Sequence, residues 1–135
     1  MASDYTFRRI VGVEYAPLLH QTALRNLAVY RSPTQRCRDI VSIEQDALGF
    51  EPPDGPLVCF FFNPFDAPTL RATLYRLRAA AQHPVRPVYV FYVNLRDVDE
   101  MAPVFDGMGF FLPVARTRRY LILASPGAPC APHLS

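Results

Sequence analysis

Leu57-Val58-Cys59-Phe60-Phe61-Phe62 runs directly into Asn63-Pro64-Phe65. Six apolar residues without alternation predict a strand covered on both faces, as in a parallel sheet. Pro64 cannot donate to a ladder and ends the run. Two similar runs lie upstream. Residues 40–46, Ile-Val-Ser-Ile-Glu-Gln-Asp, and residues 8–14, Arg-Arg-Ile-Val-Gly-Val-Glu, are short β-branched segments. Each of the three stops at a polar side chain able to hold a ligand: Glu14, Asp46 or Asn63.

The segments between these runs alternate in type. After Glu14, Tyr15-Ala16-Pro17 opens a helix, with proline near the first helical position, where its missing N–H costs nothing. That helix is expected to reach about Tyr30, with Leu19, Ala23, Leu27 and Tyr30 on its inner face. Glu51-Pro52-Pro53-Asp54-Gly55-Pro56 is a rigid loop. A second helix is expected over Ala67–Gln82, with Leu70, Leu74, Leu77 and Ala81 facing inward and His83 at its C-terminal end. Residues 87–95 read as a buried strand, and 97–108 as a short helix interrupted by Pro103. Residues 110–115 and 120–124 read as an antiparallel pair joined by Arg116-Thr117-Arg118-Arg119. The Pro/Ala-rich residues 125–135 have nothing to pack and are expected to be a disordered tail. The order β-α-β-β-α-β-α-β-β argues an α/β fold with a mostly parallel sheet and an antiparallel C-terminal hairpin.

Bulk properties narrow the class. A chain of 135 residues is one domain in size, and 50% hydrophobic with 19% charged residues is a globular composition. The net charge of +2 does not select for nucleic acid. All 14 basic residues are arginine, a bias we assign first to base composition. Three cysteines without a C-x-x-C pair fit a reducing cytoplasm, and Cys59 reads as core. No apolar run approaches the ~18 residues of a membrane span. The first residues also lack the pattern of a signal peptide. The expected location is therefore cytoplasmic.

In open α/β sheets, ligands bind at the carboxyl ends of strands. Glu14 is placed to accept hydrogen bonds from both hydroxyls of a ribose, and Asp46 from an adenine amino group. Either acid can equally be solvated or cap the helix that follows it. His20, His83 and His133 are too scattered for a metal site. Arg116, Arg118 and Arg119 form the one dense basic cluster, more readily a solvated turn than a site for an acidic substrate. Gly107-Met108-Gly109 precedes a strand, so it is not a phosphate-type glycine loop.

Taken together, V-G-V-E, then a helix with A-x-x-N-L, then I-x-x-D-A-L, then F-F-F-N-P-F resembles the class I S-adenosylmethionine (SAM)-dependent methyltransferases, over roughly residues 7–124. The resemblance implies a Rossmann-like, three-layer α/β/α sandwich spanning residues 1–124. It implies SAM as cofactor, with Glu14 and the adjoining Tyr15 at the ribose. Asp46 would face the adenine amine, and the Ala47 N–H would meet the ring. It places Asn63, Pro64 and Phe65 beside the methyl acceptor, which is a small molecule, a protein or a nucleic acid. Amino-nitrogen methyltransferases carry Asn or Asp, two prolines and an aromatic at this point. Here one proline is missing.

The resemblance also implies a strand and a glycine-rich turn ahead of residue 10, central to the sheet, and no Asp/Glu-x-Gly-x-Gly stretch occurs in the sequence. Three expectations follow for that gap. Met1 is internal to a longer reading frame, or the chain is a truncated remnant, or a partner chain or a second copy fills the strand's place. Methyl transfer from SAM is the first functional expectation. A non-catalytic binding or assembly protein that keeps the fold is the alternative. An NAD-type oxidoreductase would need a glycine fingerprint that is absent.

Overall fold

Strands and helices alternate along the chain in the computed structural model, which describes residues 1–62 and 65–129. The fold is α/β with mixed parallel and antiparallel pairing, and the strands form two sheets in two compact units, Met1–Phe50 and Glu51–Ser135.

In the first unit, β1 (Ile10–Glu14) and β2 (Ile40–Glu44) pair in parallel, from Ile10 opposite Ile40 to Glu14 opposite Glu44. Between them runs α1 (Pro17–Val29), with proline in its first turn. It packs mainly on β2. Of the expected inner face of this helix, Ala23, Leu27 and Tyr30 are half-buried, but Leu19 is 56% exposed, and His20 and Thr22 are half-buried instead. The reason is local: His20 Nδ1 lies 2.9 Å from Ser42 Oγ on β2, so the histidine turns inward to a polar partner. Tyr30 closes the helix from outside it, its N–H donating to the Asn26 carbonyl at 2.8 Å. The strands are at most half-buried, and only Ser3 and Cys37 are fully buried among the described residues of this unit. Two strands and one helix give a parallel pair little cover, whereas parallel strands are ordinarily covered on both faces.

The second unit holds β3 (Leu57–Phe62), α2 (Ala67–Gln82), β4 (Val88–Val93), α3 (Ala102–Met108), β5 (Leu112–Arg116) and β6 (Tyr120–Ala124). Its sheet has the order β3-β4-β6-β5, with β3 parallel to β4 and β6 antiparallel to both of its neighbours. α2 starts on an N-cap: Asp66 Oδ1 accepts the Thr69 N–H at 2.9 Å. Its inward residues are those the spacing predicts, Leu70, Leu74, Leu77 and Ala81, joined by Thr73. They meet Val88, Val90 and Tyr92 of β4 and Leu121 and Leu123 of β6 in one core. Each fully buried leucine there stabilises the unit by about 1.5–3 kcal/mol. Tyr92 stacks edge-on against Phe105 of α3, centroids 5.1 Å apart.

Three expectations are corrected in this unit. The helix expected over 97–108 is two pieces: a 3-10 turn, Val98–Met101, and then α3, which starts afresh with Pro103 in its first turn. α3 ends at Gly109, whose φ of 60° is left-handed backbone that favours glycine. β3 is covered on one face only: Leu57, Cys59 and Phe61 pack against the core, while Val58, Phe60 and Phe62 are 43%, 65% and 54% exposed. Both helices lie on the opposite side, so the second face has no helix over it. The tail expected to be disordered from 125 begins with a buried residue. Ser125 donates its N–H to the Val88 carbonyl at 2.8 Å, and its Oγ accepts the Val88 N–H at 3.0 Å. Residues 130–135 of that tail lie outside the described residues.

Candidate functional site

The carboxyl ends of β1 and β2 build the candidate site. The two strands are parallel and in register, so both end on one rim, with Glu14 opposite Glu44. The ladder continues one step further: the Gln45 N–H donates to the Glu14 carbonyl at 3.1 Å. Asp46 is the next residue. The acids of two separate strands are thus brought to neighbouring backbone positions by strand pairing alone.

Each carboxylate is half engaged. Glu14 Oε1 accepts the Ala16 N–H at 2.9 Å, ahead of α1, and Asp46 Oδ1 accepts the Leu48 N–H at 2.8 Å. Asp46 thereby caps the 3-10 turn Ala47–Gly49. Capping, the plainer use of a strand-end acid, is therefore served by Asp46, whereas Glu14 ties the turn ahead of α1, a helix without a side-chain cap. Each of these bonds takes a single oxygen. Among the described residues, Glu14 Oε2 and Asp46 Oδ2 carry no hydrogen bond, and an ionised carboxylate accepts on both oxygens. Tyr15 is 76% exposed beside Glu14, and Ala47 is half-buried beside Asp46. Glu44 is a third acid on this rim. The sequence reading ran its strand on to Asp46 and so passed over it, although strand register sets it directly across from Glu14.

Of the three residues expected beside a methyl acceptor, Asn63 and Pro64 lie outside the described residues. Phe65 packs edge-on against Phe61, centroids 5.5 Å apart, and joins the core. Asn94, at the end of β4, is 3% exposed, and its Oδ1 accepts the Arg96 N–H at 2.9 Å. Burial pushes the neighbouring Tyr92 hydroxyl above its ordinary pKa, and a hydrogen bond to the Asn94 side chain works against that shift. Burial also pushes the Cys59 thiol up to about 12, which leaves it without nucleophilic thiolate at neutral pH.

The arginine turn lies past the carboxyl end of β4, because Val93 pairs with Tyr120. Two of its guanidiniums are occupied. Arg116 pairs with Asp99 at 2.5 Å and Arg118 with Asp97 at 3.3 Å. The hydrogen bond to Asp99 holds the Arg116 guanidinium above its ordinary pKa. His83 closes α2 as its C-cap residue. Among the described residues, no group of three His, Cys, Asp or Glu side chains is placed to hold a metal ion. Among the described residues, no helix is long and apolar enough to cross a membrane. A scan of family models finds no match to the chain, and none is found among curated proteins or solved structures.

Proposed function

We propose that this chain binds the adenosine part of SAM on the β1–β2 rim and serves SAM-dependent methyl transfer in a Rossmann-like domain of the class I type. One observation carries the reading: strand register and the Gln45-to-Glu14 hydrogen bond set Glu14, at the end of β1, and Asp46, just past the end of β2, at neighbouring backbone positions of one rim, each carboxylate with one oxygen open. On this reading the open oxygen of Glu14 accepts the ribose hydroxyls, with Tyr15 alongside. Asp46 accepts the adenine amine, and the Ala47 N–H donates to the ring. One further feature supports it: β6 enters antiparallel between β4 and β5, in keeping with an antiparallel C-terminal hairpin.

When bound, SAM supplies a methyl group on a sulfonium that is already a good leaving group. The protein's part is then alignment and exclusion of water rather than proton transfer. Asn63, Pro64 and Phe65 are the residues we assign to the acceptor, which is a small molecule, a protein or a nucleic acid. The adenosine end fits the donors and acceptors of the rim. The methionine end would need the strand and glycine-rich turn, from another segment or another chain. The free thiols Cys37 and Cys59 suit a cytoplasmic setting.

Calorimetry with SAM and with adenosine tests the reading. Both should bind, and Glu14→Gln should weaken each by roughly tenfold or more, the effect of losing a hydrogen bond to a charged group. A folded chain that takes up neither ligand overturns it. The alternative is a binding or assembly protein that keeps this fold without the chemistry. The sparse burial in Met1–Phe50 and the uncovered β3 favour it, since both look for a partner chain.

A further inference from the structure

The two edges of the second sheet are built differently. β5 carries the devices that discourage strand addition: Pro113, a register shift between Pro113 and Ala115, and Arg116 at its end. β3 carries none of them. Its six residues, Leu-Val-Cys-Phe-Phe-Phe, hold no charge, no proline and no bulge.

The outward hydrogen-bonding groups of β3 follow from its pairing. The Leu57 N–H donates to the Pro87 carbonyl at 3.0 Å, so Leu57, Cys59 and Phe61 turn their backbone toward β4. Val58, Phe60 and Phe62 turn theirs outward, three donors and three acceptors with no strand beyond them among the described residues. The same three residues present the exposed side chains. One stretch therefore offers both the ladder and the apolar contact that a further strand requires.

We infer that β3 pairs antiparallel with β3 of a second copy of this chain, about a two-fold axis, to make one continuous eight-stranded sheet. An isologous pairing closes both open edges at once and leaves only the protected β5 edges outside. It sets no like charges opposite one another, because neither strand has any. Keeping the helix-bearing faces on one side restricts the register to those that align Val58, Phe60 and Phe62 with one another. The area argues for a weak dimer. Taking an aromatic side chain at about 200 Å², the exposed parts of Val58, Phe60 and Phe62 amount to roughly 300 Å² per copy. Two copies bring about 600 Å² of such surface, and edge pairing covers only part of it, well below the ~1,200–2,000 Å² of a standard specific interface, so the ladder hydrogen bonds carry most of the pairing and the dimer is expected to be weak. This inference does not rest on the methyltransferase reading; the two meet at β3, because a strand supplied beside β3 would take the edge that the second copy takes.

Sedimentation velocity of the full chain, from about 5 to 500 µM, tests it. The wild type should pass from monomer to dimer and stop there. Phe60→Lys charges the outer face, and Val58→Pro removes an outward N–H that bonds nothing within the unit. Both should stay monomeric with unchanged circular dichroism, while Leu112→Lys on β5 should dimerise like the wild type. A wild type that remains monomeric throughout overturns the inference and gives the edge to another chain or segment. Equal dimerisation of Phe60→Lys and Val58→Pro overturns it by placing the interface elsewhere. Growth past the dimer without a plateau overturns it as well, since that is open edge stacking.

Discussion

Asp66 shows how much one side chain decides locally. Its carboxylate takes the Thr69 N–H at the start of α2, and hydrogen bonds from the Thr69 hydroxyl and N–H hold its pKa below the ordinary 3.8. A lowered carboxylate pKa stabilises the fold above the unfolded value, and that contribution is lost as pH falls through the folded value. α2 should therefore loosen below about pH 4, and Asp66→Ala should remove that acid sensitivity. Far-UV circular dichroism across pH 2–6 on both proteins checks this. At neutral pH the same substitution should lower the midpoint of a urea melt, as loss of an N-cap does. Glu14 and Asp46 are legible in the sequence as acids at strand ends. That either could cap the helix after it is legible as well; that Asp46 does and Glu14 does not is not, because it depends on where the Ala16 and Leu48 N–H groups point.

At the scale of elements, spacing was sufficient where one face dominates. α2 has leucines at positions 70, 74 and 77, and its bounds and inner face match the periodic reading. α1 has leucines at 18, 19, 24 and 27 spread around its circumference, so a tertiary hydrogen bond, His20 to Ser42, set its rotation instead. β3 misled for a physical reason: an unbroken apolar run marks a strand meant to be covered on both faces, and here one face has no helix over it. Pro103 was legible as a break but not as a start, since proline both ends one helical segment and opens the next. Leu74→Ala tests the element that packs best. Leu74 has no exposed surface, and the change should cost about 2–5 kcal/mol, read as a shift of the urea midpoint without a change in slope.

For the molecule as a whole, the pattern of cover carries the argument. The second unit has a real core on one face of its sheet, and the first has almost none of its own. A parallel two-stranded sheet with a single helix is marginal in isolation. We therefore expect the first unit to gain protection from ligand or partner more than the second. Hydrogen exchange should show β1 and β2 amides exchanging well before those of β4 and β6. SAM at saturating concentration should slow the first group selectively, because a ligand stabilises only the state it binds.

The claim at the centre is that Glu14 and Asp46 share one rim shaped for adenosine. The most direct measurement is a titration of the isotopically labelled chain with adenosine, followed by amide resonances. The account predicts saturable shifts concentrated at Tyr15, Ala16, Ala47 and Leu48, and their disappearance in the Glu14→Gln, Asp46→Asn double variant. Unmoved resonances at these four positions, in a chain whose spectrum is that of a folded protein, would contradict it.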